Sequence, residues 1–291
     1  MRRRDTSLLV VLGLAWGGLY PLTTVALRGF APTPLVAARA LLAAAFLLPI
    51  IAVTGLRGLR QHPLAVLVAA LMQATTPLLL LTIAQEHVSA GLAGILSATQ
   101  PIFVALLSAL LGESMNRPQW TGLLAAFAGV GLLFIGDLRL NATHNLAAAA
   151  VLGSAFLFAS GAVYIGRVLP EVPAPATAGA AMSVTTLVLL PVALTTGARP
   201  HVTAGPIVAL VALGLLTAGP LALFYWLIRS SGASRAALAW YIAPAAAVLY
   251  DLPIHGAPTV PEVAGLALIV AGVVAATHEH RPRRIVDTTA P

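Results

Sequence analysis

Long apolar runs, each about as long as a bilayer-spanning helix, alternate with short breaks that hold most of the arginines and many of the prolines and glycines. A helix needs roughly 20 mostly apolar residues to cross a membrane. Reading between the breaks predicts ten spans: 7–27, 33–54, 63–84, 89–111, 119–136, 146–168, 174–196, 204–228, 233–254 and 260–278. The connections are too short for an extramembrane domain, and no strand alternation recurs, which argues against a β-barrel. Residues Met1–Arg4 before an apolar run resemble the start of a signal peptide. The run continues to about Leu27 and further spans follow, so it is expected to be the first helix. The expected fold is an all-α polytopic membrane protein.

Composition sharpens this. Of the 291 residues, 59% are apolar and 9% charged, against about 45–50% and about 25% in soluble domains. So few charges cannot cover a soluble surface, which excludes a soluble enzyme, a nucleic-acid-binding protein and a disordered chain. Net charge is +7, and all 16 basic residues are arginine. With the N-terminus in the cytoplasm, Arg2, Arg3, Arg4, Arg57, Arg60, Arg117, Arg167, Arg229, Arg235, Arg281, Arg283 and Arg284 fall inside. Only Arg28, Arg139 and Arg199 fall outside, a strong positive-inside bias. The absence of cysteine excludes disulfides, thiolate zinc sites and a cysteine nucleophile.

The chain also matches itself at an offset of 142–143 residues. Leu47-Leu48-Pro49 returns as Leu189-Leu190-Pro191, Pro77 as Pro220, Pro101 as Pro244, Pro118 as Pro261 and Gly122-Leu123 as Gly265-Leu266. Each half, 1–140 and 141–291, holds five predicted spans. Five is odd, so the second half enters from the opposite side, giving an inverted 5+5 repeat. Such repeats belong mainly to transporters, which bind substrate near the midplane between the halves.

Specific residues carry a family resemblance. They are Ala15-Trp16-Gly17, Arg39, Ser89-Ala90-Gly91-Leu92-Ala93, Pro101, Gly112-Glu113, Pro118 and the Gly122 to Gly129 stretch, then Pro244, Pro261, Gly265 and Gly272. On these the chain resembles the drug/metabolite transporter superfamily, in its ten-helix EamA-type branch. The second half departs from the pattern, reading His255-Gly256 where the first reads Gly112-Glu113. The resemblance implies a bacterial inner-membrane permease for export or uptake of small metabolites, often amino acids; the expected activity is export of small metabolites, foremost amino acids including aromatic and hydrophobic ones, by alternating access through a central cavity.

Polar groups in hydrocarbon usually face a bundle interior or a water-filled cavity. Gln73, Gln100 and Trp16 share one depth at the centres of their spans. Gln73 and Thr76 lie on one helical face, as do Ser97 and Gln100. Tyr20 is one turn from Trp16, Trp240 holds the repeat position of Ser97, and Tyr164 lies low in the sixth span. These eight residues form the expected substrate site. For the two glutamines the alternative is interhelical hydrogen bonding. Tyr225 and Trp226 fit an interfacial aromatic belt. Arg39, about two turns inside its span, either snorkels and serves structure or attracts anionic groups. Pro77, Pro101, Pro220 and Pro244, each within a span, are either hinges or static kinks. Gly122, Gly129 and Gly136 read as a helix-packing stripe.

None of the nine acidic residues falls at a predicted midplane, which favours facilitated diffusion or exchange over ion coupling. No P-loop or H-E-x-x-H motif occurs, and His278-Glu279-His280 is too short to read as a metal site. No cofactor is expected, and the partners are a small-molecule substrate and lipid, with one chain sufficient. Asn141-Ala142-Thr143 matters as a glycosylation pattern only in a eukaryotic secretory pathway. The rival readings are a membrane-embedded lipid-processing enzyme and a channel or scaffold.

The topology is testable with reporter fusions. Fusions after Arg57, Asn141 and Arg199 should read inside, outside and outside, and an inside signal after Asn141 refutes the span count.

Overall fold

The computed structural model describes residues 3–54, 57–113, 115–133, 142–195, 203–255 and 260–277, and every regular element among them is helical. Arg2, Arg139, Arg199, Arg281, Arg283, Arg284, Gly136, Asn141 and His278 to His280 lie outside the described residues, as does the side chain of Asp251. Helices α1 (Arg3–Gly17) and α2 (Leu19–Leu27) occupy the first predicted span and α3 (Pro32–Thr54) the second. A short α4 (Arg57–Gln61) leads to α5 (Pro63–Ala70), a π-helical turn (Leu71–Thr75) and α6 (Thr76–Ala84). Then come α7 (Ala90–Ser97), α8 (Gln100–Leu110), α9 (Arg117–Leu133), α10 (Ala142–Val168) and α11 (Ala174–Thr195). The chain continues through α12 (Ala204–Ser231), α13 (Ala233–Ala236), α14 (Ala239–His255) and α15 (Val260–Thr277).

Among the described residues, seven helical stretches are long and apolar enough to cross a bilayer, at the first to fourth and sixth to eighth predicted spans. Helices α9 and α14, at the fifth and ninth, are 17 residues long, and the apolar part of α15 is Val263–Ala276. Large apolar side chains such as Val53, Leu110, Leu187 and Leu194 point outward, while alanines such as Ala40, Ala74, Ala105 and Ala126 fill the interior. Small residues let helix backbones approach where lipid supplies no hydrophobic drive between helices. The protein is an all-helical, multi-pass membrane protein.

The helix ends follow local chemistry. Ser89 caps α7 by accepting a hydrogen bond from the Leu92 N–H at 3.1 Å. Gly112 ends α8 with φ +90°, and the Glu113 N–H donates back to the Ser108 carbonyl at 2.9 Å. Only glycine adopts this left-handed cap without steric cost. The first pair of expected kinks differs in kind. Pro77 lies within the continuous helical run 63–84, just after the π-turn, while Pro101 lies in the first turn of α8, after the break that ends α7, where its missing N–H is one of the groups a helix start leaves unpaired anyway. Pro220 does lie inside α12, and Pro244 is the sixth residue of α14.

Helix packing follows a definite pairing. Helix α3 lies against α11 and α12, and α11 also against α5 and the π-turn. Helix α10 packs on α6, α7 and α8, while α12 packs on α1 and α2, and α14 on α1. Helix α9 packs chiefly on α15. There the glycine stripes meet. A Cβ on Gly122 would sit 2.6 Å from the Gly272 carbonyl oxygen, and one on Gly129 would sit 2.7 Å from that of Gly265. The early glycine of each helix faces the late glycine of the other, so the two run antiparallel in backbone contact. Gly129→Val should therefore lower stability by roughly 1–3 kcal/mol, read as reduced Tm and yield. Gly131→Ala, which has open space beside it, should not.

Candidate functional site

A cavity lies at the centre of the bundle. Its wall takes Trp16, Leu19, Tyr20 and Thr23 from the first span, Arg39 from α3, and Gln73, Leu78, Leu81, Thr82 and Gln85 from the third. The second half supplies Phe158, Met182, Thr217, Leu221 and Trp240. The space admitting the centres of water-sized groups is about 50 Å³, several times the roughly 10–15 Å³ one water needs.

Aromatic rings from both halves form one end of it. Trp16 lies 4.5 Å from Trp240 and 5.1 Å from Phe224, and Phe158 lies 5.5 Å from Trp240, by ring centroids. From there the wall runs toward the end of α6 at Gln85, whose Nε2 donates to the Tyr20 carbonyl at 3.4 Å. The threonines turn their protons inward to their own helices. Thr23 donates to Leu19 O at 2.7 Å, Thr82 to Leu78 O at 2.7 Å and Thr217 to Leu213 O at 2.6 Å. This leaves hydroxyl lone pairs as acceptors. Arg39 uses one, donating from Nε to Thr217 Oγ1 at 2.7 Å.

Of the expected site residues, Trp16, Tyr20, Gln73 and Trp240 come together on this wall; Thr76, Ser97, Gln100 and Tyr164 do not. The π-turn explains Thr76. The Thr76 N–H donates to the Leu71 carbonyl five residues back, and the extra residue turns everything after it by about 100°. Gln73 therefore faces the cavity while Thr76 is exposed, and Thr75 takes the buried place, bonding to Thr185 Oγ1 at 2.9 Å. Ser97 is buried beside the Tyr20 hydroxyl, without hydrogen-bond geometry between them. The chain breaks between α7 and α8, and Gln100, first residue of α8, is fully buried with neither side-chain polar atom partnered. Gln73 Oε1 also lacks a partner, so neither oxygen serves as the interhelical glue considered above. Tyr164 is half-buried on α10. Tyr225 is fully buried, which overturns its belt assignment; Trp226 is half-buried, with the Arg4 guanidinium 5.6 Å from its ring.

Several wall residues escaped the sequence reading: Arg39 as a cavity group, Thr217, Gln85, Thr23, Thr82 and Phe158. Phe158 carried a usable signal, since it stands at the repeat offset from Trp16. Away from the cavity, polar contacts join the two halves at one side of the bundle. Arg167 Nη2 pairs with Glu113 Oε1 and donates to the Leu111 carbonyl, both at 3.0 Å. Ser231 donates to Asp5 Oδ2 at 3.0 Å and Ser234 to Ser108 at 3.3 Å.

The EamA-like transporter family matches residues 6–135 and again 145–277. The uncharacterized inner membrane transporter YedA of Escherichia coli is 28% identical over 288 residues, covering 92% of this chain and 89% of its own. The uncharacterized transporters YvbV and YdfC of Bacillus subtilis are 28% and 29% identical, covering 94% of this chain and 91% and 92% of theirs. A solved crystal structure superposes with a TM-score of 0.78 at 23% identity, over 95% of this chain and 97% of that one.

The unpartnered amide of Gln100 yields a stability test. A buried polar group without a partner costs about 1–3 kcal/mol, so Gln100→Leu should preserve or raise Tm. A fall of several degrees would show that the amide is satisfied.

Proposed function

The chain belongs to the EamA-like transporter family, and from that premise we propose that it exports small metabolites, foremost amino acids with aromatic or apolar side chains, by alternating access through the central cavity. It is a membrane transporter with a small-molecule substrate. The observation that carries the finer reading is the aromatic cluster at one end of the cavity, where Trp16 of the first half meets Trp240 and Phe158 of the second. Any motion of one half against the other opens or closes that contact.

The reading takes 1–140 and 141–291 as two inverted five-helix repeats with both termini at the cytoplasmic face of a bacterial inner membrane. Packing supports it. Exchanging each span for its repeat mate turns the contact of α6 with α10 into that of α1 and α2 with α12. The same exchange turns α7 and α8 with α10 into α14 with α1, and α3 with α12 into α11 with α5 and the π-turn. The α3–α11 and α9–α15 pairs map onto themselves. The two stretches matched by the family agree with the same division.

In this orientation, the Arg167–Glu113, Asp5–Ser231 and Ser108–Ser234 contacts close the cytoplasmic side, and the cavity extends the other way. That is an outward-facing arrangement. The π-turn beside Pro77 and the helix break beside Pro101, with the Pro220 and Pro244 positions opposite, are the natural hinges. The expected contacts that line the cavity, Trp16, Tyr20, Gln73 and Trp240, are taken as the substrate contacts. No described carboxylate lines the cavity, which supports movement down the substrate gradient or exchange.

Proteoliposomes holding purified protein test this with a panel of radiolabelled amino acids. Saturable flux with counterflow, little changed when a proton or sodium gradient is collapsed, is the expected result. Non-saturable flux would make it a channel, and steep dependence on either ion gradient would sink the coupling assignment.

A further inference from the structure

Arg39 is a buried charged side chain on the cavity wall that the transport reading leaves without a task. We propose that Arg39, oriented by Thr217, is an anion subsite, and that the substrates are small organic monocarboxylates for which an ammonium group is dispensable. The proposal rests on the central cavity being the transport site.

Arg39 is only 5% exposed and stands on the cavity wall. It does not snorkel; its position is about 10 Å along α3 from the helix start, and it turns inward to α12. Its Nε–H goes to Thr217 Oγ1, whose own proton is committed to the Leu213 carbonyl. That relay fixes the guanidinium plane. Of five N–H donors, four remain without a protein acceptor among the described residues. No described carboxylate lies against the group; the polar wall around it is neutral, made by Tyr20, Thr23, Gln73, Thr82 and Gln85.

A buried guanidinium without a counter-charge is costly, and removing the shortfall takes an anion with matching geometry. A planar carboxylate fits the free edge of a guanidinium in a bidentate pair. One cation balances one negative charge, which favours monoanions over phosphate dianions. The same charge repels cations across a low-dielectric space. An amino acid's ammonium meets only neutral oxygens here, so its carboxylate supplies the anchor, and the apolar remainder falls to Trp16, Trp240 and Phe158. The present cavity admits a carboxylate head and a few waters; a ring must part the Trp16–Trp240 pair to enter.

The test measures binding to the full-length purified protein by intrinsic tryptophan fluorescence and calorimetry. The probes are 3-phenylpropionate, phenylalanine, phenethylamine and inorganic phosphate, with phosphatidylglycerol as competitor. The first two should bind within about tenfold of each other, and phenethylamine and phosphate at least about tenfold more weakly. Arg39→Gln should abolish binding of 3-phenylpropionate and Arg39→Lys should restore part of it. Thr217→Val keeps the charge, guards against a misfolded Arg39 variant, and should weaken binding several-fold. Phenethylamine binding as tightly as 3-phenylpropionate, or unchanged binding by folded Arg39→Gln or Thr217→Val protein, overturns the subsite. Displacement of 3-phenylpropionate by stoichiometric phosphatidylglycerol assigns the guanidinium to a lipid headgroup and overturns it too. Saturable proteoliposome flux without carboxylate preference refutes the subsite alone. Absence of both binding and flux refutes the transport reading with it.

Discussion

Inside hydrocarbon a backbone amide has no water to turn to, so every N–H and C=O must find its partner within the protein. That restriction accounts for the helices and also for where they are allowed to fail. The π-turn at Leu71–Thr75 and the break between α7 and α8 sit against other helices. Side chains repair what is left. Ser154 donates to the Pro77 carbonyl at 2.8 Å, and Thr99 to the Leu96 carbonyl at 2.6 Å beside the break. The irregular segments are therefore tolerated only in the interior, and the third span's irregular turn carries Gln73 onto the cavity wall.

The cavity joins two kinds of recognition with different physical reach. The Trp16, Trp240 and Phe158 rings act at contact distance and respond to shape. Arg39 acts through a field that extends across a low-dielectric space. Set among neutral hydroxyls and amides, that field is not cancelled locally. The fold thus offers a polarised chamber with an aromatic end rather than a uniformly apolar slot.

Much of the helix layout was legible because a span's length and its charged edges are one-dimensional properties. Trp16 and Trp240 were legible for the same reason, as depth along a helix follows from counting. What depended on rotation about the helix axis was not. One extra residue per turn at Leu71–Thr75 carries no compositional mark, yet it sends Thr76 outward and Thr75 inward. The break after Ser97 similarly moves Gln100 off the wall. Arg39 could be placed in depth but not assigned a task, because its acceptor Thr217 lies 178 residues away on another helix. Tyr225 looked interfacial from its position near a helix end, and only packing shows it is enclosed.

The crossing of α9 and α15 has a hereditary consequence. Gly122 and Gly272 occupy the same point of contact, as do Gly129 and Gly265, although they are encoded far apart. A side chain introduced at Gly122 or Gly272 pushes the backbones apart, and once they are apart a second at its mate meets less resistance. Losses at the two positions are therefore less than additive. The two distant codons behave as one unit of selection, each glycine held in place by the backbone it touches in the opposite half.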